Sequence, residues 1–182
     1  MKLKSQIAFE QWLVLKIQDG HRDSLAPLLE LVVPAVSAYT MRLTGDKEGA
    51  KEATQETCLA ICRQIGRLHN ARNFRGWMFR IARNKAADWI RRRSGDRNRL
   101  VGLDEQTHEQ HNDHDAAEAD ELRLAIRTLP PRQQLVLNLF YAHGLTVNEV
   151  ATALAIRTGT VKSDLFRARA ALKNLLEDKT HD

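Results

Sequence analysis

Thr146-Val147-Asn148-Glu149 constrains this chain more than any other stretch of its sequence. A threonine followed three residues later by glutamate, ahead of an apolar run, is a capping box. The hydroxyl takes a free backbone N–H of the first turn, and the glutamate reaches back to the cap. A short helix opens there, with Val147, Val150, Ala151 and Leu154 on one face. Ala155-Ile156-Arg157-Thr158 separates it from a second helix over about 159–176, a turn length that suits a helix-turn-helix. Small Ala151 lets the two helices approach. Val161 and Leu165 point back into the core, continued by Ala168, Leu172 and Leu175. Ala155 stands where glycine is usual, which is tolerable if the backbone need not go far into left-handed space.

The other face of the last helix carries Lys162, Phe166, Arg169 and Lys173 in one row and Ser163, Arg167 and Asn174 in the next. An exposed phenylalanine among cations has little structural use. In a DNA major groove it can meet a thymine methyl while Lys and Arg reach guanine edges or phosphates. The helix start, Thr158 to Thr160, can also receive a phosphate. The bland alternative is a solvated amphipathic helix.

The remaining sequence reads as all-α. Helix-favouring Ala, Leu, Glu and Arg abound, glycine (9) and proline (4) are scarce, and no segment competes as a strand. Periodicity predicts helices over about 6–19, 24–31, 35–43, 46–65, 74–93, 118–128 and 131–144 ahead of the two described. Gly20 stops the first, Pro34 separates the second from the third, and Asp46 caps the fourth. In the fifth, Trp77, Ile81 and Trp89 are the expected buried residues. Residues 94–117 lack a period and large apolar side chains. The expected architecture is therefore two small helical domains, 1–95 and 118–182, joined by a flexible acidic linker, 96–117.

Charge follows the same division. Residues 67–99 hold eleven Arg/Lys against Asp88 and Asp96; residues 100–121 hold eight Asp/Glu and no Lys or Arg; residues 157–173 hold five cations against Asp164. Two basic blocks around an acidic one point to two anion-facing modules with a repelling connector. Cys58 and Cys62 lie on one side of a helix at a spacing that fits neither a redox C-x-x-C nor a zinc framework. His108, His111 and His114, three apart in the linker, are a weak metal candidate, so no cofactor or metal is expected. The polar start, broken by Glu10 and Lys16, does not read as a signal peptide. No apolar run approaches the ~20 residues of a membrane span. A cytoplasmic protein without membrane insertion is expected.

Leu129-Pro130-Pro131-Arg132-Gln133, Leu145-Thr146-Val147-Asn148-Glu149-Val150-Ala151 and Gly159-Thr160-Val161-Lys162-Ser163-Asp164-Leu165-Phe166-Arg167-Ala168-Arg169 together resemble region 4 of sigma-70-type factors. Upstream, Arg42-Leu43-Thr44-Gly45-Asp46, Gln55-Glu56-Thr57 and Gly76-Trp77-Met78-Phe79-Arg80-Ile81-Ala82-Arg83-Asn84, followed by Asp88 and Arg91-Arg92-Arg93, resemble region 2. Two motifs in series with only a linker between them resemble the extracytoplasmic-function (ECF) class. The chain departs from the family pattern at Lys51-Glu52-Ala53 and at Cys58.

The resemblance implies a non-enzymatic initiation factor with three kinds of partner: core RNA polymerase, promoter DNA and an anti-sigma protein. It implies polymerase contacts from Glu52, Gln55, Glu56 and Leu59. It implies −10 contacts from Arg72, Asn73, Arg80, Arg83, Asn84, Lys85 and Arg91, with loop 68–73 completing a pocket for a flipped base. It implies −35 contacts from Thr158, Thr160, Lys162, Ser163, Phe166 and Arg167. Exposing a base costs a few kcal/mol of unstacking, which an amide such as Asn84 and nearby cations can offset. The two promoter elements lie roughly 70 Å apart, about two helical turns. A linker of about 24 residues reaches at most roughly 80 Å, so it must run nearly straight. Two other readings explain less of the sequence. An ordinary helix-turn-helix regulator leaves residues 76–84 and the arginine run unexplained. An enzyme lacks a base for Cys58, a phosphate loop or a metal motif.

Overall fold

The structure, a computed structural model, describes residues 3–94 and 117–178. Among these, no strand occurs. Eight α-helices follow one another: α1 (Leu3–Gln18), α2 (Leu25–Thr44), α3 (Lys47–Gln64), α4 (Phe74–Ser94), α5 (Ala117–Arg127), α6 (Pro131–Leu137), α7 (Val147–Leu154) and α8 (Thr158–Asp178). Short 3-10 turns occupy Arg22–Ser24, Ile65–Arg67 and Ala71–Asn73. The linker reading of 96–117 and the His108, His111 and His114 tract lie outside the described residues, save the helix start at Ala117.

The predicted break at Pro34 does not occur, because α2 runs straight through it. The proline removes a hydrogen bond to the carbonyl of Glu30, but both residues are exposed, so water can take that carbonyl. Buried Leu28 and Val32 before it and Val36, Tyr39 and Leu43 after it hold both halves on one core. The unbroken stretch Arg22–Thr44, 23 residues, is long and apolar enough by length and composition to cross a membrane, which corrects the expectation from the sequence. Here its apolar face packs against α1, α3 and α4. Gly45 ends α2 at φ 61°, a left-handed value that glycine adopts without penalty, and its N–H bonds the Met41 carbonyl at 2.9 Å.

Asp46 caps α3 as expected, its carboxylate accepting from the Gly49 N–H at 2.8 Å. The predicted stripe of Ala50, Thr54, Thr57, Ile61 and Ile65 is buried, with Cys58 at its margin. In α4 burial differs from the expected pattern. Trp77, Ile81 and Trp89 are only half-buried, and the buried residues are Phe74, Met78, Phe79, Ala82, Ala86 and Ala87. This helix packs against α2, α3 and α7, so it has no single inward face.

Downstream, the helix predicted to end near Gly144 instead widens into a π-turn over Asn138–Ala142, with the His143 N–H bonding the Asn138 carbonyl at 3.1 Å. Leu139 stays buried there while Tyr141 is exposed. Leu175, expected in the core, is exposed.

The two halves share one core. α4 packs on α7, and buried side chains of α1 to α4 run into Leu135, Leu139, Val150, Leu154, Val161 and Leu165. The two halves approach closely at Gly76, where an added Cβ would lie 3.0 Å from Glu149 Cβ and 3.1 Å from its Cα. Beside it, Arg75 grips the buried Glu10 carboxylate through Nε and Nη2, both at 2.7 Å, and donates Nη1 to the His143 carbonyl. The His143 ring meets Phe79 at 4.9 Å between centroids.

Burial, with Arg75 and Arg42 nearby, pushes the His143 imidazole down to about 4. An unfolded histidine titrates near 6.5. The neutral imidazole's contribution to stability is therefore complete above about pH 6.5 and is lost as pH falls toward 4. Thermal melts across that window are expected to show a declining Tm, and His143→Gln is expected to flatten the decline.

Candidate nucleic-acid interface

The capping box at Thr146 is present in full. The Thr146 hydroxyl accepts from the Glu149 N–H at 3.3 Å, and the Glu149 carboxylate accepts from the Thr146 N–H at 2.8 Å. Val150, Ala151, Ala153 and Leu154 then lock α7 against α4 and α8. The turn passes through Ala155 at φ 54° and ψ 43°, well inside left-handed space, so the tolerance expected for a milder geometry does not apply. Ala155 is exposed and loses no packing on truncation. Ala155→Gly is expected to stabilise the chain by roughly 0.5–1 kcal/mol, read as a Tm rise of about 1–4 °C.

On α8, Val161, Leu165 and Ala168 are buried, which turns Lys162, Ser163, Phe166 and Arg167 outward. Phe166 is 74% exposed, the most open large apolar side chain among those described. Ser163 folds its hydroxyl back onto the Gly159 carbonyl at 2.9 Å. A shallow cleft at the start of α8 is lined by Ile156, Arg157, Thr158, Gly159, Thr160, Ser163 and Arg167. Thr158 is exposed and Thr160 half-buried there, so a helix start, hydroxyl side chains and two arginines border one cleft, a setting that suits a phosphate. Arg169, read with this row, leans away instead: its Nε bonds the Tyr141 hydroxyl at 2.7 Å, and its guanidinium lies over Phe140 and Tyr141.

The second basic surface lies on α4. Arg80 and Asn84 are exposed one turn apart, with Arg83 and Lys85 half-buried beside them. Lys85 pairs with Glu56 at 3.0 Å, Arg92 with Glu52 at 2.5 Å and Arg93 with Asp46 at 2.8 Å, while Arg91 pairs with Asp88 on its own helix. Lys85 and its salt bridge hold the Glu56 carboxyl below its ordinary range. Arg93 also covers the Trp89 ring, which fits against Gly49 because a Cβ there would lie 2.7 Å from it. Arg72 and Asn73 are exposed on the adjoining loop. Asn70 shapes that loop by accepting from the Arg72 N–H at 2.9 Å, and Gln18 of α1 ties it down through the Leu68 carbonyl at 2.5 Å. Glu52, Gln55, Glu56 and Leu59 form one exposed stripe on α3, so two of its acids already engage cations of α4.

Two residues within the basic blocks behave otherwise than their charge suggested. Arg75 is buried against Glu10 and faces no solvent anion. Asp164 is fully buried beneath Arg132 and Arg167. Cys58 is half-buried with its thiol pushed up by burial and by Cys62, and both cysteines are free. Among the described residues, no group of three metal-ligating side chains occurs.

The described residues form an all-helical body with a helix-turn-helix whose outer face is basic, an arrangement suited to a nucleic acid. A family model described as Sigma-70 region 2 matches residues 28–95, and one described as Sigma-70, region 4 matches residues 119–172. The ECF RNA polymerase sigma factor SigL of Mycobacterium tuberculosis is 36% identical over 148 residues, 77% of this chain and 81% of SigL. The ECF sigma factor SigE of Mycolicibacterium smegmatis is 30% identical over 141 residues, 74% of this chain. The match covers 54% of SigE, so the chain spans about half the length of that relative. Among solved structures, the sigma factor RpoE from Bartonella quintana, in complex with the anti-sigma factor NepR, is 25% identical with a TM-score of 0.60. That likeness covers 82% of this chain and 94% of RpoE. The chain belongs to the family of ECF RNA polymerase sigma factors.

Proposed function

We propose that this chain binds core RNA polymerase in the cytoplasm and directs it to promoters by binding alone, with no chemistry of its own. Residues 1–95 act as the region 2 domain and 118–182 as the region 4 domain, with 96–117 as the connector. The α3 stripe of Glu52, Gln55, Glu56 and Leu59 meets polymerase. Arg72, Asn73, Arg80, Arg83, Asn84, Lys85 and Arg91 hold the opened −10 strand, and Asn84 contacts a flipped base. Thr158, Thr160, Lys162, Ser163, Phe166 and Arg167 read the −35 duplex. An anti-sigma protein controls the chain, as the complex of RpoE with NepR suggests.

The observation that carries this reading is Phe166, 74% exposed beside Lys162 and Arg167 on the second helix of a capped helix-turn-helix. A solvated face gains nothing from that ring, whereas a thymine methyl in a major groove would cover it.

The shared core adds a requirement. α8 reaches α4 through α7, two helix spacings of about 8–10 Å each, and α4 itself is about 30 Å long. The −10 and −35 surfaces therefore lie closer than the roughly 70 Å between promoter elements, so α4 and α7 part when both are engaged.

The deciding measurement is transcription by purified chain and core polymerase over a pool of random promoter fragments, with Asn84→Ala and Arg167→Ala alongside. Chain-dependent transcripts sharing two spaced upstream elements are expected, with a different element weakened in each variant. Initiation is expected to fall steeply with salt, because phosphate contacts release counterions. A chain that binds duplex operators alone and never starts transcripts would replace this reading with an ordinary repressor or activator.

A further inference from the structure

We propose that Asp164 is a positioning residue, which holds Arg167 in the pose that recognises a guanine edge in the upstream duplex. The inference rests on the reading of α8 as the −35 reader and adds to it the group that sets its arginine.

Asp164 sits in the inward stripe of α8, between Val161 and Leu165, and its side chain has no exposure. An aliphatic residue would fill that stripe without cost, and a buried carboxylate is tolerated only when paired. Two cations share its oxygens. Arg132, near the start of α6, donates Nε to Oδ2 at 2.8 Å, while its Nη2 is 3.5 Å from Oδ1. Arg167 donates Nη2 to Oδ1 at 2.8 Å. Burial alone would raise the carboxyl, but the hydrogen bonds from Arg132 and Arg167 hold it below its ordinary range.

Arg132 ties α6 to α8 through both oxygens, but its second prong is long at 3.5 Å. Oδ1 takes its shorter bond from Arg167, whose side chain is 56% exposed and lines the cleft at the start of α8. One nitrogen of that guanidinium is anchored, and the exposure of the side chain leaves its other donors open to a partner. A guanine presents two acceptors, O6 and N7, which an arginine meets with two parallel donors. An arginine ordered in advance gives up less rotamer freedom on contact, and its register against the base is fixed.

The test uses the full chain with core polymerase on a promoter library randomised through the upstream element, scoring base preference position by position. Thermal melts are run on each variant. Arg167→Ala is expected to erase a guanine preference of roughly tenfold at one position. The double variant Asp164→Leu/Arg132→Met fills the buried site with apolar atoms and is expected to stay folded. It should weaken the same guanine preference by about threefold or more and leave other positions unchanged. Arg132→Gln, which removes the tie to α6 but leaves Arg167 on Asp164, should lower the Tm and keep the preference.

If the double variant lowers transcription evenly with its base preferences intact, Asp164 merely packs, and the proposal is overturned while the reading of α8 stands. If Arg167→Ala changes no position, Arg167 reads no base, and both fall. Asp164→Asn, run in parallel, keeps the volume of the side chain without its charge. Should the double variant not fold, an unchanged guanine preference in Asp164→Asn overturns the proposal and a weakened one supports it.

Discussion

Glu10→Ala is expected to destabilise the chain by about 3–5 kcal/mol, the cost of leaving a buried charge without its partner. Glu10 is 1% exposed and its carboxylate accepts three hydrogen bonds, two from Arg75 and one from Gln6 at 3.1 Å. Alanine would strand the Arg75 guanidinium between α1 and α4, with only the His143 carbonyl to receive it. Arg75→Ala is expected to cost as much and to free that carbonyl as well. For a chain of this length the loss reads as a Tm lowered by roughly 10 °C. Replacing both partners tells charge from packing: Glu10→Leu with Arg75→Met removes the desolvation penalty along with the attraction. The double variant should lie within about 2 kcal/mol of the parent, the remainder being the unpaired His143 carbonyl. Chemical denaturation of the four proteins checks this; a single variant that costs under about 1 kcal/mol means the pair is dispensable.

Gly76→Leu is expected to drive α4 away from α7. The added Cβ would meet Glu149 Cβ at 3.0 Å and its backbone Cα at 3.1 Å, and backbone cannot yield as a flexible side chain can. Overpacking costs about 1–3 kcal/mol, which shifts the balance between closed and parted forms by roughly 5- to 150-fold. Small-angle scattering reads the outcome. A compact chain of this length has a radius of gyration near 16 Å, and the variant should exceed the parent while keeping its helical circular dichroism. An unchanged radius would mean that the contact yields without opening.

Features written in short stretches of sequence were legible there. The capping box at Thr146, the Asp46 cap and the stripe from Ala50 to Ile65 need only neighbours within two turns, and each stands where the sequence placed it. Helix α4 was harder because three helices cover it, and a single 3.6-residue period cannot describe burial on several sides. Pro34 misled because its cost depends on which way the freed carbonyl faces, and sequence does not give that direction. The surfaces of the candidate site were legible as charge blocks, but their internal pairing was not. Nothing local tells Arg75, which is buried, from Arg80, which is exposed. A partial signal did exist. Glu10 falls in the stripe of Leu13, Val14 and Ile17, and Asp164 in that of Val161, Leu165 and Ala168, so each is a lone acid on an apolar face, which calls for a cation brought by the fold.

The contact between α4 and α7 lies within a single chain, so its two sides are covalently joined and cannot diffuse apart. Two surfaces joined in one chain by a short flexible connection meet at an effective concentration on the order of 1 mM. A contact with an intrinsic dissociation constant of about 0.1 mM is then made roughly nine times in ten, although the same surfaces on separate molecules at micromolar concentration would scarcely meet. Closure of this kind is indifferent to dilution, yet one cut between α4 and α5 abolishes it. A partner that takes either surface competes with a local concentration and not with a tight bond.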